Sequence, residues 1–175
     1  MDGVGKTTQC ALLKEWLEDQ GHQVIISKEL ESSSFGRIAK RILMKGVMGN
    51  CRLAEMFLFL AVKSFHFSTI VKPAIVRGVI VLGDRGHGSF LNYHWPLIKD
   101  WDKLWTLVDI ATRGIHPLQV FVLDVSVEEV KRRLFLKEEK SRFDIQSFIN
   151  LTEQKERYRQ LAKHFGWFIL DANYS

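Results

Sequence analysis

Apolar residues recur along the chain at two spacings. Over residues 7–20, Leu12, Leu13, Trp16 and Leu17 fall at the three-and-four spacing of one helix face, and Gly21 stands where such a helix stops. Val24-Ile25-Ile26 follows as a run apolar throughout, the pattern of a short strand buried on both faces. The pattern predicts two further helices over 35–45 and 53–71, the second ending near Lys72-Pro73. Gly78 then precedes Val79-Ile80-Val81-Leu82, a second buried strand closed by Gly83-Asp84-Arg85.

The second half repeats the alternation. Residues 102–113 carry Leu104, Trp105, Val108 and Ala111 on one helical face, with Gly114 and Pro117 ending the helix before the strand Val120-Phe121-Val122-Leu123. After Asp124, Ser126-Val127-Glu128-Glu129 has the form of a capping box opening a helix to about residue 136. A charged segment, 137–142, precedes a long helix over about 145–164 and a last strand, Trp167-Phe168-Ile169-Leu170. Apolar strands alternating with helices imply an α/β fold in three layers, a parallel sheet flanked by helices on both faces. With no repeat, low-complexity tract or linker, residues 1–175 are expected to form a single domain.

Composition narrows this picture. A chain of 175 residues, 46% of them hydrophobic, can bury one full core but is short for two ordinary domains. The net charge of +5 and pI near 9.3 suit anionic partners. Lys and Arg are scattered rather than massed, so the charge serves a nucleotide as well as a polymer, and no nucleic-acid polymer is expected as partner. Cys10 and Cys51 lack metal-ligand spacing and no secretory signal accompanies them, so a cytoplasmic setting is expected. The longest apolar run, 57–62, is far short of a span, and no membrane association is expected.

Chemistry enters at the start of the chain. Gly3-Val4-Gly5-Lys6-Thr7 matches the end of G-x-x-x-x-G-K-[ST], a loop whose backbone N–H groups and following helix N-terminus hold phosphates. The alternative is a glycine turn that happens to precede a helix; Thr8 and the helical pattern directly after it favour the phosphate loop. The first glycine of the motif would fall at position zero. The strand that normally precedes the loop lies in mid-sheet, so the first, central strand is expected to be missing from this chain. Its loss would leave buried backbone groups unpaired at about 1–3 kcal/mol each, against a total stability of roughly 5–15 kcal/mol. The native polypeptide is therefore expected to begin upstream of Met1 with an apolar strand and a glycine, which intact mass of the natural protein would test.

The residues together resemble the thymidylate kinase family of P-loop nucleoside monophosphate kinases. That family opens with G-x-D-G-x-G-K-T-T-Q, and Asp2-Gly3-Val4-Gly5-Lys6-Thr7-Thr8-Gln9 reproduces all of it after the first two positions. Ser27-Lys28-Glu29-Leu30 stands where the family has T-R-E-P, and Phe59 through His66 where it has F-x-A-D-R-x-x-H. Val71-Lys72-Pro73-Ala74 through Gly78, then Asp84-Arg85, is similar to K-P-A-L-x-x-G…D-R-Y; Ser89 and Tyr93 keep the S and Y of the signature that follows. Leu123-Asp124-Val125, Arg142-Phe143 and Asp171-Ala172 match the family's L-D-V, lid R-F-E and closing D-A, so the resemblance spans nearly the whole chain.

The resemblance implies a P-loop NTPase fold and phosphoryl transfer from ATP to a nucleoside monophosphate, dTMP giving dTDP, in nucleotide biosynthesis. Such a reaction needs positioning and cations rather than a protein nucleophile. Implied catalytic residues are Lys6, on the β- and γ-phosphates, Arg85, bridging the acceptor phosphate, the loop carboxylate Asp2, and Arg142 in a lid over about 137–144. Lys137 and Lys140 are alternatives to Arg142 as the transfer cation, since Val4 occupies the loop position that can carry one. Gly3, Val4, Gly5, Lys6, Thr7 and Thr8 would bind the nucleotide, and Thr7 and Asp84 would hold Mg²⁺. Glu29, Phe59, Lys63, Ser89 and Tyr93 would form the acceptor site. The implied partners are ATP and the monophosphate, together with a second copy in a homodimer, for which Phe57, Phe65, Phe67, Trp101 and Trp105 offer apolar surface.

Each residue also has a plainer reading: Asp84-Arg85 as a surface ion pair, Lys137 to Lys140 as a solvated helix end, Phe59 as core and Tyr93 as a loop residue. Departures cluster on the acceptor side, with Lys28 for Arg, Leu30 for Pro, Val62 and Lys63 for Asp-Arg, Gly86 for Tyr and His94 for Gln. Lys lacks the planar fork of Arg, so these exchanges bear on which acceptor is taken. The alternative functions are a P-loop kinase for another small phosphate acceptor and a catalytically weak nucleotide-binding paralogue with a regulatory role.

Overall fold

A computed structural model describes residues 3–136 and 150–173. These form two compact units. One joins the described residues up to Lys6 with those from Pro117 onward, and the other is Thr7–His116.

In the larger unit, helix α1 (Lys6–Asp19), which belongs to it from Thr7 on, leads to strand β1 (Val24–Ser27), helices α2 (Ser34–Met44) and α3 (Arg52–His66), and α4 (Lys72–Val76). Strand β2 (Ile80–Gly83), α5 (His87–Ile98) and α6 (Trp101–Thr112) complete it. β1 and β2 pair in parallel from Val24 opposite Ile80 to Ser27 opposite Gly83, so both strands end side by side. Helix α3 packs against α2, α5 and α6. Leu43, Met56, Val62, Leu91, Leu104 and Val108 form the buried interior. The apolar face expected of α1 is not buried: Leu12, Leu13 and Trp16 are exposed, Trp16 by 58%.

Two features were hidden in the sequence pattern. The helix predicted to end at Lys72-Pro73 runs on to Val76 through a π turn at Phe67–Val71, where the Lys72 N–H bonds back to the carbonyl of Phe67. That wider turn shifts the ladder just before Pro73, which sits in the first turn of α4, where its missing donor is tolerated. The continuous helix Arg52–Val76 is thereby long and apolar enough, by length and composition, to cross a membrane. Yet its buried Lys63 and His66 bond to Glu29 and Ser27, at and just beyond the end of β1, which marks it as a core helix of this unit. Second, α5 has no counterpart in the sequence reading: His87, Asn92, His94 and Pro96 interrupt its apolar spacing, although all but Pro96 are buried. Tyr93 therefore lies on a helix, not in a loop.

In the smaller unit β3 (Phe121–Asp124) pairs in parallel with β4 (Phe168–Asp171), and α7 (Val127–Phe135) and α8 (Leu151–Phe165) accompany them. Both strands lie one residue later than predicted, and their ladder opens with the Phe168 N–H on the Val120 carbonyl. Ser126 caps α7 as expected, accepting from the Glu129 N–H at 3.3 Å, but the Glu129 carboxylate does not close the capping box. It binds Arg132 and Arg133 instead, which hold it down to about 2. Of the helix expected over 145–164, the part before residue 150 lies outside the described residues. The expected single sheet is seen as two pairs, β1–β2 and β3–β4; among the described residues no strand joins both. Paired among the described residues with β3 alone, β4 is exposed along its length, against the buried strand its apolar sequence predicts.

Candidate active site

The glycine loop has the conformation its composition requires. Gly3 and Gly5 both adopt left-handed backbone, at φ 76° and 92°, a region that costs a residue with a Cβ about 1–2 kcal/mol. A Cβ on Gly3 would also sit 3.2 Å from Leu134 Cγ. Between them Val4 turns inward and packs with Val125, Val130, Leu134 and Leu151, so toward a phosphate it can offer only its backbone N–H. The loop runs directly into α1 at Lys6, whose first-turn N–H groups have no intrahelical acceptor. Thr7 and Thr8 lie exposed in that turn. Beside the loop stands Arg133, with one guanidinium nitrogen 4.0 Å from where a Gly5 Cβ would be. Sequence reasoning missed it, because the Glu129, Arg132, Arg133 pattern reads as an ordinary solvated helix face.

A second cluster forms where β1 and β2 end, the position at which parallel sheets gather ligand-binding groups. The Asp84 N–H bonds to the Ser27 carbonyl at 3.0 Å, continuing the ladder by one residue and fixing the carboxylate at its mouth. Asp84 is 5% exposed. The Thr7 hydroxyl donates to its Oδ2 at 2.6 Å across 77 positions of sequence, and Lys28 Nζ lies 3.3 Å from the same oxygen. A hydroxyl and a carboxylate side by side are the hard oxygen donors Mg²⁺ prefers, and they leave room in its coordination for phosphate and water.

Arg85 follows with φ 76°, left-handed backbone on a residue with a side chain. Strain of this kind, of order 1–3 kcal/mol, persists where the surroundings impose it. Arg85→Gly and Arg85→Ala are both expected to lose turnover, with the Gly variant the more stable by about 1 kcal/mol in urea unfolding because it relieves the backbone. Equal stability of the two would show that the turn is not strained.

The residues expected on the acceptor side also come together. Lys63, fully buried, binds the Glu29 carboxylate and lies over the rings of Phe67 and Phe90 at 5.7 and 6.0 Å. Lys63 thus has a carboxylate partner in Glu29 although Val62 stands where the family has Asp. Phe59 is half-buried and meets Tyr93 and His94 at ring distances of 5.8 and 5.5 Å. The Tyr93 hydroxyl donates to Glu55 at 3.4 Å. Ser89 is in the first turn of α5, its N–H on the Gly86 carbonyl at 3.1 Å.

Three histidines line this region. His66 shares a 2.6 Å hydrogen bond with the Ser27 hydroxyl, and burial lowers its pKa. Burial, with Lys63 adding to it, pushes His87 and His94 down to about 3. His94 has neither ring nitrogen hydrogen-bonded and is 1% exposed. Asp2, Arg142, Lys137 and Lys140, with the expected lid at 137–144, lie outside the described residues.

Comparison with known proteins shows the family and the fold. The family described as "Thymidylate kinase" matches residues 1–175. The probable thymidylate kinase of Thermococcus kodakarensis is 33% identical over 172 residues, covering 94% of this chain and 82% of that protein. The thymidylate kinase of Synechococcus sp. (strain CC9605) is 33% identical over 184 residues, covering all of this chain and 87% of that one. Among solved structures, the thymidylate kinase of Ehrlichia chaffeensis superposes with a TM-score of 0.73 at 24% identity, over 98% of this chain and 81% of that one, which shows a shared fold.

Proposed function

The chain belongs to the thymidylate kinase family and is a nucleoside monophosphate kinase, and we propose that its reaction is dTMP + ATP giving dTDP + ADP. The observation that carries the assignment of the site is the 2.6 Å contact between Thr7, in the first turn after the glycine loop, and Asp84 at the mouth of the β1–β2 pair. It ties the first turn of α1 to the mouth of the β1–β2 pair, where a buried carboxylate stands at parallel strand ends.

In this reading the loop N–H groups and the α1 N-terminus take the ATP phosphates, and Lys6 neutralises charge spreading over the β- and γ-oxygens. Thr7 and Asp84 hold Mg²⁺, which supplies charge neutralisation across the two phosphates. Arg85, aimed by its strained turn, orients the acceptor phosphate. Lys63 is held by Glu29 and two aromatic rings, so it presents a fixed cation to the acceptor region rather than a mobile one. Phe59 and Tyr93 give that region aromatic walls for a base and sugar. Asp2 and Arg142 complete the catalytic set by resemblance, and residues 1–175 act as one kinase domain.

The choice of dTMP is supported by the names of the relatives and by these acceptor-side positions. A coupled assay of ADP release with dTMP, dUMP, dCMP and purine monophosphates tests it, with selective turnover of dTMP expected. Preference for another acceptor would overturn the substrate, and ATP binding without turnover of any would leave a nucleotide-binding paralogue. We read the protein as a cytoplasmic homodimer: Phe57 and Phe65 on α3 are 56% and 41% exposed, with Ile110 on α6 at 68%. Light scattering at the elution peak is expected to give twice the chain mass of 20.3 kDa.

A further inference from the structure

Lys28 brings an ammonium to the oxygen that the reading above gives to the metal. Its Nζ is 3.3 Å from Asp84 Oδ2, which also accepts from Thr7. The carboxylate is sunk at 5% exposure, whereas the Lys28 side chain is 34% exposed and reaches in from solvent on a flexible stem. A second carboxylate waits on that solvent side: Glu31 lies 3.9 Å from the same ammonium and is half exposed. Glu31 is itself held below the usual carboxylate range by its hydrogen bond to Lys40 at 2.7 Å, with Lys40 and Lys28 charges adding to it. One cation is therefore shared between a buried acid and an exposed one.

We propose that Lys28 is a placeholder cation, neutralising Asp84 while the divalent ion is away and moving to Glu31 when the ion arrives. A carboxylate this buried is costly without a counter-charge. An ammonium and a divalent ion on one oxygen repel, so both cannot stay. The exchange keeps the metal-free site folded, and it weakens metal binding by the amount needed to dislodge the lysine. The inference rests on the assignment of Thr7 and Asp84 to the metal.

The test is binding without turnover. Mn²⁺ with ADP is titrated into the protein by calorimetry, and bound Mn²⁺ is read by its electron spin resonance, with no acceptor present. Lys28→Met is expected to tighten Mn²⁺·ADP by about fivefold, the scale of a partly exposed ion pair, while lowering the melting temperature of the metal-free protein. Glu31→Gln, at an exposed position, is expected to weaken Mn²⁺·ADP by a similar factor, because the ammonium loses its alternative seat. Opposite signs separate exchange from a merely structural role, in which both variants weaken binding. Unchanged or weaker binding in Lys28→Met would overturn the placeholder while leaving the kinase assignment. Failure of the wild-type protein to take up Mn²⁺ with ADP would overturn the metal assignment and this inference with it.

Discussion

Lys6→Ala is expected to reduce kcat by about a thousandfold and to leave the melting temperature nearly unchanged. The kinetic half follows from what the reaction requires. Phosphoryl transfer spreads negative charge over the β- and γ-oxygens, and the loop N–H groups carry only partial charges, so Lys6 adds a full cation directly after them in the chain. The structural half follows from where the residue sits. Lys6 is the first residue of α1, a helix with no buried residues, and alanine is the better helix former. Val4→Ala is the control with the reverse profile. That side chain fills the core of Val125, Val130, Leu134 and Leu151, so its truncation lowers stability while the loop backbone keeps its N–H groups. Measuring turnover in the coupled assay beside thermal unfolding checks both. A near-normal rate in Lys6→Ala would mean that the glycine loop does not bind the transferring phosphates.

The parts of the site legible in sequence were those where backbone conformation restricts residue choice. Gly3 and Gly5 need left-handed φ, the capping Ser126 needs a side-chain oxygen, and the all-apolar runs mark parallel strands, although β2 is only partly buried and β4 is exposed. The Asp84-Arg85 pair was legible because it ends such a run. What sequence could not show were the long-range pairings that decide charge. Lys63 looked like a cation stripped of its neighbouring acid, until the fold brought Glu29 to it from 34 positions away. Lys28 looked like a weaker arginine, yet it shares one carboxylate oxygen with Thr7. Helix α5 was missed for a related reason: beside Phe90 and Leu91, its buried positions are His87, Asn92 and His94, which hydropathy patterning counts as surface.

Those buried histidines set the second large expectation, a steep loss of stability in mild acid. His87 packs against Phe67, Trp105 and His116, and His94 against Phe59, Phe90 and Tyr93. Desolvation holds both neutral down to about 3; the facing cations are Lys63 and His116 for the first, Arg52 and Lys63 for the second. The unfolded chain protonates them near 6.5, so between those values it binds the protons that the folded chain refuses, and stability rises with pH. The contribution is complete above about pH 6.5 and is lost as pH falls toward 3. At pH 5 each histidine costs about 2 kcal/mol and the pair about 4, a large share of the roughly 5–15 kcal/mol that holds a domain. His66, lowered by burial as well, acts in the same direction. Urea unfolding at pH 7.5 and pH 5.0 should show this loss. In His94→Gln, a side chain neutral at both values, the difference between the two pH values should shrink by about 2 kcal/mol whatever the substitution does to stability at neutral pH. An undiminished difference in the variant would mean that His94 takes up its proton in the folded protein, and that the aromatic shell around it admits water.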